Sequence, residues 1–249
     1  MALFKSGNPA LKQETFTGFS VAETDDVMTL QGTVNKTGIL LALVVFAAFY
    51  TWNIYFTTND PGSIVAYLLA GTIGGAAVGI VTAFKKAWAP VLAPAYAVLE
   101  GLALGGISAV FEAEMPGIVL EAMTLTFGIF AVLLILYKME VIKPSENFKL
   151  IVASATGGIA LFYVVGMIGS LVGFHLPLIH ENTTGGIIFS LFVVAIAAMN
   201  LVVDFDFIEQ GAEQRAPKFM EWYGAFGLMV TLVWLYLEIL RLLAKSRRR

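Results

Sequence analysis

Carboxylates set inside apolar segments are the chemistry this sequence offers. From Ala197 to Leu243 the chain reads AAMNLVVDFDFIEQGAEQRAPKFMEWYGAFGLMVTLVWLYLEILRLL, two apolar helices joined by an acidic link. Asp204, Asp206, Glu209, Glu221 and Glu238 sit in or beside stretches otherwise fit for lipid or tight packing. A charge is costly there, so each is a functional candidate. At about 100° per residue Asp204 shares a face with Asn200, one turn earlier, and lies opposite Asp206. A polar stripe therefore continues inward from Asp204. The plainer reading of Asp206, Glu209 and Glu213 is that they solvate a helix end. Glu238 has a local partner in Arg241, three residues on. Glu100, in AVLEGLALGG, is the other intramembrane acid, and its plain reading is a neutral acid hydrogen-bonded to a neighbouring helix.

The elements that must hold these groups follow from composition. With 58% hydrophobic and 13% charged residues and a mean hydropathy of +0.82, the chain is far from a soluble domain, whose charged share is about 25%. It reads as an all-α integral membrane protein. A helix needs about 20 residues to cross a bilayer core of ~30 Å. Runs of that length occur near 37–57, 63–84, 89–111, 117–137, 149–173, 185–206 and 221–243. Residues 1–36 form a polar arm, 37–245 a membrane domain of seven spans, and 246–249 a basic tail. Lys5 is followed by SGNPALKQETF rather than an apolar run, so the first span is expected to act as the insertion signal.

Loop charges predict orientation, because Lys and Arg collect on the cytoplasmic side. Ten of the fifteen basic residues fall in the leader and the 2–3, 4–5 and 6–7 links: Lys5, Lys12, Lys36, Lys85, Lys86, Lys138, Lys143, Lys149, Arg215 and Lys218. The other links carry none, so the N-terminus is expected in the cytoplasm. Arg241, Lys245, Arg247, Arg248 and Arg249 break the pattern. Either they are translocated after a seventh crossing, the favoured reading because 221–243 is long enough, or the last segment re-enters without crossing. Gly71, Gly75 and Gly79, then Gly101 and Gly105, then Gly169 and Gly173 are spaced for close helix packing.

Several chemistries are excluded by what is missing. The last span has no lysine midway for a retinal Schiff base, and His175 and His180, in one link, are no intramembrane base for a serine nucleophile and only a weak metal signal. No second aspartate lies in another span to pair with Asp204 as a protease, and no glycine loop cradles phosphate. Zero cysteines exclude a disulfide framework and a thiolate metal site. No enzyme activity and no bound cofactor are expected. Membrane lipid, not nucleic acid, is the expected surrounding.

Seven short-linked spans, NLVVDFDFI in the sixth and LVWLYLEILRLL in the last resemble the transmembrane Bax inhibitor family, and specifically its bacterial YccA-like branch. LQGTVNKTGILLAL, APVLAPAYAVLEGLALGGISAVFE, FSLFVVAIAAMNLVVDFDFIEQG and APKFMEWYGAFG carry the likeness along nearly the whole chain. The resemblance implies a seven-helix bundle with the last helix central, in the bacterial inner membrane. It implies a proton-sensitive calcium leak in some members, and stress survival or membrane protein quality control in others. It further implies a pH-sensing pair of acids on helices six and seven, with Asp204 in the first position. For the second, alignment on LYL gives Glu238, and alignment on the final leucine–arginine gives Thr231.

Depth points elsewhere. If the link between two antiparallel helices turns near 210–215, Asp204 should face Glu221, with Glu238 about 25 Å and Thr231 about 15 Å further along. The expected function is thus a pH-sensitive calcium leak with Asp204 and Glu221 as sensor and gate. Glu100, Asn200, Asp206, Glu209 and Glu238 are candidates for the ion pathway. Asp204 and Asp206 are candidate calcium ligands, since calcium favours several hard oxygens. The rival expectation is a non-conducting regulator that binds a membrane protease or quality-control proteins through its leader and links.

Overall fold

The computed structural model describes residues 27–171 and 183–248. The leader up to residue 26, and His175 and His180, lie outside the described residues. Among the described residues seven helices are long and apolar enough to cross a membrane, and there is no strand. The chain is a multipass membrane protein. We number the spans α1 (Leu30–Thr58), α2 (Pro61–Phe84), α3 (Ala89–Glu114), α4 (Ile118–Lys138), α5 (Glu146–Leu171), α6 (Thr184–Glu213) and α7 (Met220–Arg247).

Polar residues explain where the helices outrun the apolar runs. α1 starts at Leu30, not at the apolar boundary near 37, because Thr29 caps it by accepting from the Gly32 N–H. Residues 30–36, including Lys36, are therefore helix. α6 continues to Glu213, about two turns past the apolar run that ends at 206. Glu209, Gln210 and Glu213 are helical residues rather than link. α2 is interrupted by a π-helical turn at Ala70–Gly74, a departure that is rare and frequent at functional sites.

The chain divides into two compact units. Among the described residues, the first comprises 27–119 and 207–229. In it α3 carries the packing. A side chain at Gly105 would overlap the backbone of Ala48 on α1, and one at Gly71 on α2 would overlap Leu99 and Ala103 of α3. Only glycine permits approaches this close, where contact replaces the hydrophobic drive that lipid does not supply. The segment before α1 is tied to the link before α7 by Met28 N–H donating to Ala216 O at 2.7 Å and by an antiparallel bridge of Val27 with Pro217.

The second unit comprises 120–206 and 230–248 among the described residues. Ile159, Val193 and Ile196 form a buried cluster against Tyr163, Phe189 and Trp234. Polar contacts mark its two ends. At one end Lys149, near the start of α5, pairs with Asp206 at 2.6 Å. At the other, Lys245 donates to Gly186 O at 3.2 Å and Ser190 Oγ at 3.0 Å, and Arg247 pairs with Glu121 at 2.6 Å. The last turn of α7 thus lies with the first turns of α4 and α6. The end of α7 that carries Arg247 therefore lies at the opposite end of this unit from Lys149 and Asp206.

Outward faces such as Phe46, Phe49, Ile73 and Ile80 are exposed and apolar. On a water-soluble monomer so much apolar surface would be a liability; on a membrane span it is the face that lipid covers.

Candidate functional site

Asp204 is fully buried at 0% exposure. The α7 side chain that meets its carboxyl is Thr231. Neither carboxyl oxygen has a hydrogen-bond partner of ordinary geometry among the described residues. One turn earlier, Asn200 is equally enclosed and donates its Nδ2 to Thr156 Oγ1 at 2.8 Å and to Ile196 O at 2.9 Å. Its Oδ1 also has no partner among the described residues. The stripe read from the sequence therefore exists, and it presents three buried acceptor oxygens on one turn of α6. Buried acceptors are almost always matched by donors, so three of them with the Thr231 hydroxyl alone at Asp204 are under-supplied.

Thr231 takes the place that the depth argument gave to Glu221, and the reason lies in the length of α6. Since α6 stays helical to Glu213 and the link runs over 214–219, Asp204 lies about 14 Å before the helix end rather than close to the turn. Its counterpart on α7 must lie equally deep. Thr231, eleven residues into α7 or about 17 Å, satisfies this, whereas Glu221 is in the first turn.

Glu221, in the first unit, is also 0% exposed, and its surroundings are rich in donors. Its Oε1 accepts from Thr29 N at 2.9 Å and Thr29 Oγ1 at 2.8 Å, and Lys218 pairs with it at 3.1 Å. Lys36 forms an ion pair with its Oε2. A side chain at Gly32 would occupy the space of this carboxylate. Lys36 and Thr29 read as plain leader residues in the sequence. A cap-type threonine three residues before a glycine was the only local signal.

The remaining candidates separate. Glu238 is buried and accepts from the Tyr163 hydroxyl at 3.0 Å and from Arg241 Nη1 at 2.7 Å, so the partner three residues on is found. Asp206 is engaged by Lys149, and its helical phase turns it away from Asp204. Among the described residues no group of three or more His, Cys, Asp or Glu is placed to hold a metal. Glu209 is exposed. Glu100 is half-buried in the first unit beside Tyr96.

Comparison with known families agrees with this architecture. The family described as Bax inhibitor 1 like matches residues 8–248, nearly the whole chain. The chain belongs to the Bax inhibitor 1 like family. No curated protein and no solved structure shows a match to it. Within the matched residues, NLVVDFDFI lies on α6 and Asp204 is its fully buried acid.

Proposed function

We propose that this Bax inhibitor 1 like protein is a pH-gated cation leak, with calcium as the transported ion and Asp204 as the proton-sensitive element. The observation that carries the reading is the set of Asp204 Oδ1, Oδ2 and Asn200 Oδ1, buried on one helix turn with the Thr231 hydroxyl as the side chain that meets Asp204. A bound proton and a passing cation compete for the same oxygens, so proton binding closes the site to the ion and proton release opens it. Calcium is the ion that hard oxygens favour, with water supplying the rest of its six to eight ligands. Thr231 and Thr156 add hydroxyls beside the pair.

On the charge asymmetry of the links, the protein sits in the inner membrane with the Lys149 end in the cytoplasm and the basic tail outside. A reporter fused after Arg249 tests that orientation, and it should match one placed in the 3–4 link. The functional test is calcium uptake by proteoliposomes holding wild type or Asp204→Asn across a pH series. Wild type should show pH-dependent uptake and Asp204→Asn a flat profile. Absence of uptake by wild type at every pH would favour the non-conducting regulator of a membrane protease or quality-control machinery.

A further inference from the structure

The second unit holds polar side chains in two layers with an apolar layer between them. On α5 Lys149, Thr156 and Tyr163 recur every seven residues, and on α7 Thr231, Glu238 and Lys245 do the same. Seven residues fall only about 20° short of two whole turns, so each set keeps one face. Toward the Lys149 end, Asp204 meets Thr231, and Asn200 donates to Thr156 Oγ1 at 2.8 Å. Toward the Arg247 end, the Tyr163 hydroxyl donates to Glu238 at 3.0 Å and Lys245 donates to Ser190 Oγ at 3.0 Å. Asn200, Asp204 and Thr231 in the first layer and Ser190, Glu238 and Lys245 in the second are all buried.

Along each helix sequence order is depth order. Between the layers the chain is apolar on α5 (GGIALF, 157–162) and on α6 (LFVVAIAAM, 191–199). Ile159, Val193 and Ile196 cluster there, and Trp234, which lies between Thr231 and Glu238 on α7, packs against them. The rise from Thr156 to Tyr163, and from Thr231 to Glu238, is about 10 Å, so the apolar layer is thin beside a ~30 Å core. Buried acids and amines are costly inside a membrane, so apolar packing alone does not account for polar groups enclosed at both faces of this cluster.

We propose, on the leak reading above, that Ile159, Val193 and Ile196 are the barrier of an ion route through the second unit, between the Asp204–Asn200 site and the outer polar layer. An ion entering the apolar layer gives up water for side chains that offer no oxygen, which is how hydrophobic constrictions close channels. Asp204 then sets the pH dependence of the leak, and the apolar layer sets its rate. In the outer layer the Arg241 guanidinium, 2.7 Å from Glu238, and the Lys245 ammonium oppose a cation's staying. The holding site is therefore the inner one.

The test is calcium uptake by proteoliposomes holding the full chain, with Val193→Thr, Ile196→Thr and Ile196→Val set against wild type across pH. Threonine has nearly the shape of valine, and its oxygen, with its proton given to the carbonyl one turn back, keeps lone pairs for a cation. We expect Val193→Thr to raise uptake about tenfold wherever wild type conducts, the worth of one hydroxyl contact to an ion, and to keep the wild-type pH profile. Ile196→Thr should act likewise. Ile196→Val loosens the packing but brings no oxygen, and should leave uptake as in wild type. Uptake unchanged by both threonine variants, or raised as much by Ile196→Val, would overturn the barrier and leave the leak reading standing.

A second readout needs no calcium flux. The chain has no cysteine, so Thr156→Cys and Ser190→Cys each report alone when silver ion is added to one side and the unreacted thiol is counted by mass spectrometry. Silver should reach the thiol at 156 from the Lys149 end only and the thiol at 190 from the Arg247 end only. Adding Val193→Thr should open each to both ends. Wild type without uptake at any pH sinks the leak reading, and the silver pattern then decides the barrier by itself. With Val193 in place, labelling of either thiol from both ends or from neither overturns it.

Discussion

Asp204 and Glu221 are both acids with no exposed surface, one in each unit, and their surroundings are opposite. Glu221 is held by two donors from Thr29 and by the ammonium groups of Lys36 and Lys218, so its charge is matched atom for atom. Asp204 has the Thr231 hydroxyl beside it and no charged partner among the described residues. Burial is therefore not what sets the two acids apart. The donor supply is. A buried carboxylate with its donors in place acts as a clasp that costs stability when one partner is removed. A buried carboxyl met by one hydroxyl, as Asp204 is by Thr231, has acceptor capacity left over.

The largest expected effect is on the clasp. Glu221→Ala leaves Lys36 and Thr29 without their acceptor, and we expect a loss of about 2–4 kcal/mol. This is below the ~3–5 of a fully enclosed pair, because the Lys36 side chain keeps 17% of its exposure and can reach water. Thermal unfolding in detergent measures it. Asp204→Asn should shift stability by under ~1 kcal/mol, since the amide oxygen can still accept from the Thr231 hydroxyl, while removing the pH dependence of calcium uptake. Equal destabilisation by the two substitutions would break the comparison.

A smaller effect is expected at Glu238, whose oxygens are already taken by Tyr163 and Arg241. Glu238→Gln should cost about 1–2 kcal/mol and leave the pH profile of uptake as in wild type. A flattened profile would move the sensor from Asp204 to α7.

The smallest effect lies outside the spans. The Lys143 ammonium, 2.8 Å from Glu140, holds that exposed carboxyl below the usual glutamate range. Its folded value being the lower one, the pair's contribution is present above the ordinary glutamate pKa and is lost as pH falls through the depressed value. Lys143→Gln should return the Glu140 titration, followed by NMR, to the ordinary range with no measurable change in melting temperature.

Hydropathy by itself determined the class, the seven spans and the approximate place of every link. Twenty apolar residues have one stable state in a bilayer, and that requirement is local. It also placed the Asn200–Asp204 stripe, because helical phase is fixed within one turn, and the Glu238–Arg241 pair, which is local for the same reason. The tertiary structure decided what each acid meets. Thr29 and Glu221 are 192 residues apart in sequence, and no periodicity encodes such a pairing. The helical extension of α6 to Glu213 depends on polar residues that read equally well as a link, and it moved the partner of Asp204 from Glu221 to Thr231. The side of the basic tail was likewise open in the sequence, since loop charge and span length pointed in different directions. Lys245 and Arg247 reach the first turns of α6 and α4, contacts that exist only once the helices have packed and that place the tail at the end of its unit away from Lys149 and Asp206.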